Sequence, residues 1–100
     1  MDNLEKLSEI FKALSDPTRL RIIKMLSSSN SMMCVNAITN ELDVTQSAVS
    51  QHLRILRQAG FVNSERRGYF IHYSINPDAF NDLNGLQKKV LGLELDDKSV

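Results

Sequence analysis

Apolar residues recur along the first part of the chain at helical spacing. Between residues 4 and 14 they return every three or four positions, which predicts a helix that buries one face. A second helix is predicted from Thr18 to about Leu26, because Asp16 can cap it and Pro17 can occupy its first position, where no N–H is required. Its inward face is expected to contain Leu20, Ile23 and Leu26.

The third predicted helix is short, and the fourth follows it closely in sequence. The polar stretch 27–31 is expected to end the second helix, because serine and asparagine favour turns. A third helix is predicted near Val35–Leu42, and a fourth runs from a cap at Thr45 to about Ala59, where Gly60 stops it. Two helices joined by a turn of about three or four residues form a helix-turn-helix arrangement.

After the fourth helix, the pattern becomes that of a β-hairpin. Phe61–Glu65 and Tyr69–Ile75 are predicted strands, the second with alternating apolar positions. The segment 66–68 is expected to form the turn, since Gly68 can adopt positive φ. A last helix is predicted over about Asp78–Leu93. The predicted fold is therefore mostly α with a small β-hairpin, a winged helix-turn-helix.

Length and composition fit one folded domain. The 100 residues are 42% hydrophobic and 24% charged, ordinary shares for a globular protein. We predict a single winged helix-turn-helix domain over 1–100, with a frayed tail over 95–100. No apolar run of about 18 residues predicts a membrane span, and no signal peptide is recognised. One cysteine excludes an internal disulfide, so a cytoplasmic location is expected.

The net charge of zero results from an uneven distribution. Residues 1–44 carry −1, residues 45–75 carry +3 and residues 76–100 carry −2. The basic side chains of the middle region are Arg54, Arg57, Arg66 and Arg67. The planar fork of arginine suits phosphate and guanine, so the charge distribution favours a nucleic-acid partner.

The fourth helix separates apolar from polar side chains. At about 100° per residue, Val49, Leu53 and Leu56 fall within roughly 60° of one another and predict a buried stripe. The opposite side contains serine, glutamine and arginine, which can bind base edges and phosphates, and the helix has no acidic residue. Double-stranded DNA is therefore the predicted partner. The predicted DNA-binding residues are Thr45, Gln46, Ser47, Ser50, Gln51, Arg54, Arg57, Arg66, Arg67 and Tyr69.

Three segments resemble the ArsR/SmtB family of bacterial and archaeal repressors. They are Phe11–Ile23, Gln46–Val62 and Arg66–Tyr73, and the resemblance extends over about residues 4–92. It implies a homodimer joined mainly by the first and last helices, which binds an imperfect palindromic operator upstream of the genes it controls. Many members release DNA when a ligand, often a metal ion, binds. The implied dimer interface contains Leu4, Leu7, Phe11, Phe80, Leu83, Leu86 and Val90.

The chain departs from the metal-sensing members of that family. They place a Cys-x-Cys pair at the start of the third helix, whereas here Cys34 is followed at the second position by Asn36. Others bind zinc through aspartate and histidine on the last helix, which has no histidine here. His52 and His72 fit neither pattern, and His52 is expected to be structural. We therefore predict no bound metal and no cofactor, and the sequence does not identify an effector.

The role of Cys34 and the function of the chain each have more than one possible interpretation. Cys34 is expected to be a small, semi-buried residue, but a thiol at a helix start can also act as a redox sensor. The main hypothesis is a DNA-binding repressor. The alternative is a winged helix that binds protein instead of DNA. An enzyme is not expected, because the sequence has no glycine-rich phosphate loop and no metal-ligand spacing.

Overall fold

A computed structural model describes residues 1–29 and 32–93. Within these residues the chain forms five helices and a small antiparallel sheet, which confirms the predicted winged helix-turn-helix fold. The helices are α1 (Asn3–Leu14), α2 (Pro17–Ser29), α3 (Val35–Glu41), α4 (Gln46–Gln58) and α5 (Pro77–Leu91). The strands are β1 (Met33–Cys34), β2 (Val62–Arg67) and β3 (Phe70–Ile75). The predicted frayed tail, 95–100, lies outside the described residues.

Side-chain caps start α2 and α4 where the sequence predicts them. Asp16 Oδ2 accepts hydrogen bonds from the backbone N–H groups of Thr18 (2.8 Å) and Arg19 (3.1 Å). Thr45 Oγ1 accepts one from the N–H of Ala48 at 3.1 Å. Each cap satisfies a donor that has no partner within its helix, and such a cap contributes about 1 kcal/mol. The two caps fix where α2 and α4 begin.

The core lies where α2, α3, α4 and the sheet meet. Its buried residues are Ile22, Leu26, Ile38, Val49, Leu53, Leu56 and Val62. The predicted inward face of α2 was partly wrong, because Leu20 is 50% exposed and Ile22 is fully buried. The two residues are about 200° apart around the helix, so they cannot share a face. Leu26 lies one turn after Ile22, and this pair packs inward.

The sheet contains one strand that the sequence did not predict. In the order β1-β3-β2, the central strand is β3. Met33 pairs with Tyr73 and Cys34 pairs with His72. A strand of two residues has too few positions to show alternation, so periodicity could not reveal it. Its position just before α3 attaches the hairpin to the helix-turn-helix.

The hairpin of β2 and β3, called the wing below, turns later than predicted. Arg66 pairs with Ile71 and Arg67 pairs with Phe70, so both arginines lie in β2 and not in the turn. The turn consists of Gly68 and Tyr69, and Gly68 adopts φ +65°. This left-handed conformation is inexpensive only for glycine, which is why the turn forms there.

The last helix packs on α1 and leaves much of its surface open. Phe80 meets Phe61 edge to face, with ring centroids 4.8 Å apart. The helix ends at Leu91, earlier than the predicted Leu93, because Gly92 adopts φ +67° as its C-cap. No residue of α5 is buried in the single chain. Among residues 1–29 and 32–93, no helix is both long and apolar enough to cross a membrane.

Candidate DNA-binding surface

The helix α4 presents a polar face opposite its buried stripe. Val49, Leu53 and Leu56 are fully buried against α2, α3 and the sheet. Every polar residue predicted for the opposite side is exposed, namely Gln46, Ser47, Ser50, Gln51, Arg54 and Arg57. The apolar stripe therefore fixes the rotation of the helix, and the rotation presents hydroxyl, amide and guanidinium groups to solvent.

The arginines of α4 and the wing differ in whether they form ion pairs. Within the described part of the chain, no ion pair involves Arg54, Arg57 or Arg66, whereas Arg67 Nε donates to Glu65 Oε2 at 2.8 Å. The first turn of α4 contains no acidic residue. Its free N–H groups and the unpaired guanidinium groups produce a positive potential that favours phosphate.

The wing ends in an exposed aromatic and apolar tip. Tyr69, a predicted site residue, is 97% exposed, and Phe70 and Ile71 beside it are also exposed. The sequence analysis missed Phe70 and Ile71 as candidates for contact. The signal was the run of three consecutive apolar residues directly after Gly68, at the tip of the hairpin.

The wing and α4 border a common cavity. Its volume is about 400 Å³, and it lies between the start of α3, the first half of α4 and the wing tip. Gln46 and Ser50 line one side, and Phe70 and Ile71 line the other. Of the predicted DNA-binding residues, Gln46, Ser50 and Tyr69 line this cavity, so the start of α4 and the wing tip lie next to one another.

His52 contacts α2 and does not belong to the exposed face of α4. Its Nδ1 atom lies 3.2 Å from Arg19 Nη1, and its Nε2 atom lies 3.9 Å from Asp16 Oδ2. The pKa of Asp16 is lowered from its ordinary value of 3.8, mainly because the backbone N–H of Arg19 donates to the carboxylate and also because the N–H of Thr18 does. The structural role expected for His52 agrees with these contacts.

Cys34 lies at the junction of β1 and α3. It is half-buried, and its side chain makes no capping hydrogen bond to α3. His72 lies opposite it in the sheet, with a buried Nδ1 atom that has no hydrogen-bond partner among residues 1–29 and 32–93. Among the described residues, no group of three or more His, Cys, Asp or Glu side chains could hold a metal ion.

The residues implied for the dimer interface differ in how exposed they are in the single chain. Leu7 is only 3% exposed because it packs inside its own chain, so it has little surface to offer a second copy. Leu4 and Phe11 are exposed on α1. The implied residues on α5 are half-buried, namely Phe80, Leu83, Leu86 and Val90. An apolar surface therefore extends over α1 and α5.

Comparison with known proteins agrees with this geometry. Residues 16–64 match the model of the "Bacterial regulatory protein, arsR family". The chain is 43% identical over 83 residues to an uncharacterized HTH-type transcriptional regulator of Methanocaldococcus jannaschii, and the match covers 83% of this chain and 92% of that protein. It is 36% identical over 76 residues to the transcriptional repressor SdpR of Bacillus subtilis, with 76% and 82% covered.

A solved structure shares the fold. An ArsR-like transcriptional regulator from Rhodococcus sp. RHA1 superposes with a TM-score of 0.77 at 26% identity, and the match covers 89% of this chain and 82% of that chain. The matched family model spans α2, α3, α4 and the start of β2, so it includes the exposed polar face of α4. The chain therefore belongs to the ArsR family of DNA-binding transcriptional regulators.

Proposed function

We propose that this regulator is a repressor that binds a palindromic operator as a homodimer and reads the operator with α4. The observation that carries the proposal is the exposed, acid-free polar face of α4 beside the arginines of the wing. A helix of this width fits the major groove of B-DNA. Two copies in a two-fold dimer would enter successive major grooves about one helical turn apart.

The side chains divide into two roles in the proposed complex. Gln51 and Arg54 lie near the middle of the exposed face, where an amide or a guanidinium can bind a base edge with two hydrogen bonds. Arg57 and Arg66 lie farther along the surface and suit phosphates. Tyr69 at the wing tip suits the adjacent minor groove. The remaining proposed contacts are Thr45, Gln46, Ser47, Ser50 and Arg67.

The exposed apolar surface of α1 and α5 supports the dimer. ArsR-family regulators bind DNA and form homodimers. A chain of this size buries only roughly 60–70% of the surface exposed on unfolding, so a second copy can complete its core. We propose an interface of Leu4, Phe11, Leu83, Leu86 and Val90, with Phe80 at its edge. Such a repressor acts by binding in the cytoplasm, and no catalytic step is required.

The test is selection of bound fragments from a random DNA pool. We expect the recovered sites to share an imperfect palindrome. Affinity for the recovered site should fall steeply as salt is raised, because bound arginines displace counterions from phosphates. A scrambled fragment of equal length is the control. Binding of both fragments with equal affinity, or of neither, would refute sequence-specific repression, and retention of a protein partner instead would support the protein-binding alternative.

A further inference from the structure

One arginine joins three helices through its side chain. Arg19 lies in the first turn of α2, and its Nε donates to the carbonyl oxygen of Ala13 at 2.6 Å. Its Nη2 donates to the carbonyl oxygen of Lys12 at 3.2 Å. Its Nη1 lies 3.2 Å from His52 Nδ1. A single guanidinium therefore binds the C-terminal end of α1 on one side and α4 on the other.

The partners of His52 define which atoms donate. A guanidinium has only donors, so the Nδ1 atom that faces Arg19 accepts the hydrogen bond. The neutral ring then carries its proton on Nε2, which lies 3.9 Å from the carboxylate of Asp16. That carboxylate also accepts from the backbone N–H of Arg19 at 3.1 Å. Asp16, Arg19 and His52 thus form one polar cluster between α2 and α4.

Apolar packing between α1 and α4 is incomplete beside this cluster. A cavity of about 520 Å³ lies between the two helices, with Ile10 and Ala13 on one side and Ile55 and Ala59 on the other. Arg19 lines the same cavity. Side chains leave this part of the contact between α1 and α4 open, so directional contacts beside it help to set the position of α4 against α1. The three hydrogen bonds of the planar Arg19 guanidinium have defined directions and can fix this position.

We propose that Arg19 is a positioning residue, which transmits the geometry of the dimer from α1 to the reading helix α4 and so sets the half-site spacing that the protein accepts. This inference rests on the proposed function, in which α1 forms the dimer and α4 reads the operator. The fork shape of arginine is essential to it. Lysine has one compact ammonium group on a flexible stem and does not reproduce the planar fork.

The test compares variants of Arg19 with variants of His52, its partner on α4. Arg19→Gln removes the guanidinium, and Arg19→Lys keeps the charge but loses the fork. His52→Asn keeps an acceptor near the position of Nδ1, whereas His52→Leu removes it. Arg21→Gln is the matched control, because Arg21 is an exposed arginine of the same helix and the charge change is equal.

Each variant is assayed for oligomeric state, thermal unfolding and DNA affinity. The DNA probes are the selected operator, a single half-site, and operators whose half-sites are one base pair closer or farther apart. In Arg19→Gln, Arg19→Lys and His52→Leu, we expect affinity for the full operator to fall about tenfold, within the range of coupling between sites. Half-site affinity and dimer formation should match the parent, and the preference for one spacing should weaken. His52→Asn and Arg21→Gln should keep the spacing preference of the parent.

Two results would overturn the inference. One is an equal loss of half-site and full-operator affinity in the variants, which would mean that Arg19 only stabilises α4. The other is an unchanged spacing preference in His52→Leu, the variant that decides the question if the Arg19 substitutions prevent folding. Failure of the parent itself to bind a selected operator would refute the proposed function, and this is separate from either result.

Discussion

The face formed by α4 and the wing and the face formed by α1 and α5 are both exposed, but their chemistry is opposite. The first contains exposed arginines, serines and glutamines, with an apolar patch only at the wing tip. The second exposes apolar residues such as Leu4 and Phe11. A polar face needs no cover in water and gains from a charged partner. An apolar face loses free energy in water and gains from a partner that covers it. The difference supports the proposal that the first face binds DNA and the second binds another copy of the chain.

A charge on the apolar face should have the largest effect. We expect Leu86→Glu to abolish the dimer, because an unpaired carboxylate would be buried between the copies. Operator affinity should then fall by about a hundredfold or more, since the two half-sites are no longer bound together. Sedimentation and DNA titration measure the two effects. Asn84→Glu, at an exposed position of the same helix, is the control, and a dimeric Leu86→Glu would contradict the proposed interface.

A truncation on the polar face should affect DNA and leave the dimer intact. Arg54→Ala is expected to weaken operator binding by roughly 1–3 kcal/mol and to relax the preference at one base pair if Arg54 meets a base. A loss that is uniform across sequences would assign Arg54 to phosphate. Fluorescence anisotropy with single-base operator variants measures this, with Arg21→Ala as the charge-matched control. Affinity equal to that of the parent would remove Arg54 from the site.

The two wing arginines should differ from each other. Arg66→Gln is expected to lower the slope of log affinity against log salt by about one, since one phosphate contact is lost. Arg67→Gln should have a smaller effect, because Arg67 first has to leave Glu65, an exposed pair that contributes about 0–1 kcal/mol. Titrations at several salt concentrations measure both slopes. A larger change for Arg67 would reverse the assignment of the two roles.

The smallest effect should be the pH dependence of Asp16, which lies between the two faces. Its pKa in the folded chain is lowered from 3.8, first by the N–H of Arg19. Its ionised form therefore stabilises the fold above pH 3.8, and this contribution is lost as the pH falls through the lower folded pKa. Asp16→Asn keeps a capping side chain and removes the charge.

The measurement for Asp16 is urea unfolding of parent and variant across the acidic range. The difference in unfolding free energy should shrink as the pH falls below about 3.8, the ordinary carboxyl value. Asp16→Ala, which also loses the cap, should be less stable than Asp16→Asn at every pH. A difference that grows with acid would show that the charge at Asp16 does not favour folding.

Much of the fold could be predicted because it depends on local signals. The caps at Asp16 and Thr45 and the buried stripe of α4 are each encoded within a few neighbouring residues. The inward face of α2 was wrong at Leu20, since the positions that face inward depend on what the helix packs against. The strand β1 was missed because it exists only through pairing with β3, about forty residues away.

The site was predictable to the extent that it depends on the rotation of one helix. The buried stripe fixes that rotation, so the exposed set on α4 followed from the sequence. Leu7 was assigned to the dimer interface on periodicity and resemblance, but it packs inside its own chain. Periodicity identifies an apolar face and does not say which copy covers it. The link from Arg19 to His52 joins residues 33 positions apart, which no local pattern reveals.

The short ladder between β1 and β3 has a mechanical consequence for the operator. Because β1 leads directly into α3, this ladder ties the wing to the helix-turn-helix at a fixed separation. A duplex that meets both at once must match that separation, so any misfit is accommodated by bending or twisting of the DNA. Base pairs between the two contacts, although never touched, then contribute to selectivity through their stiffness.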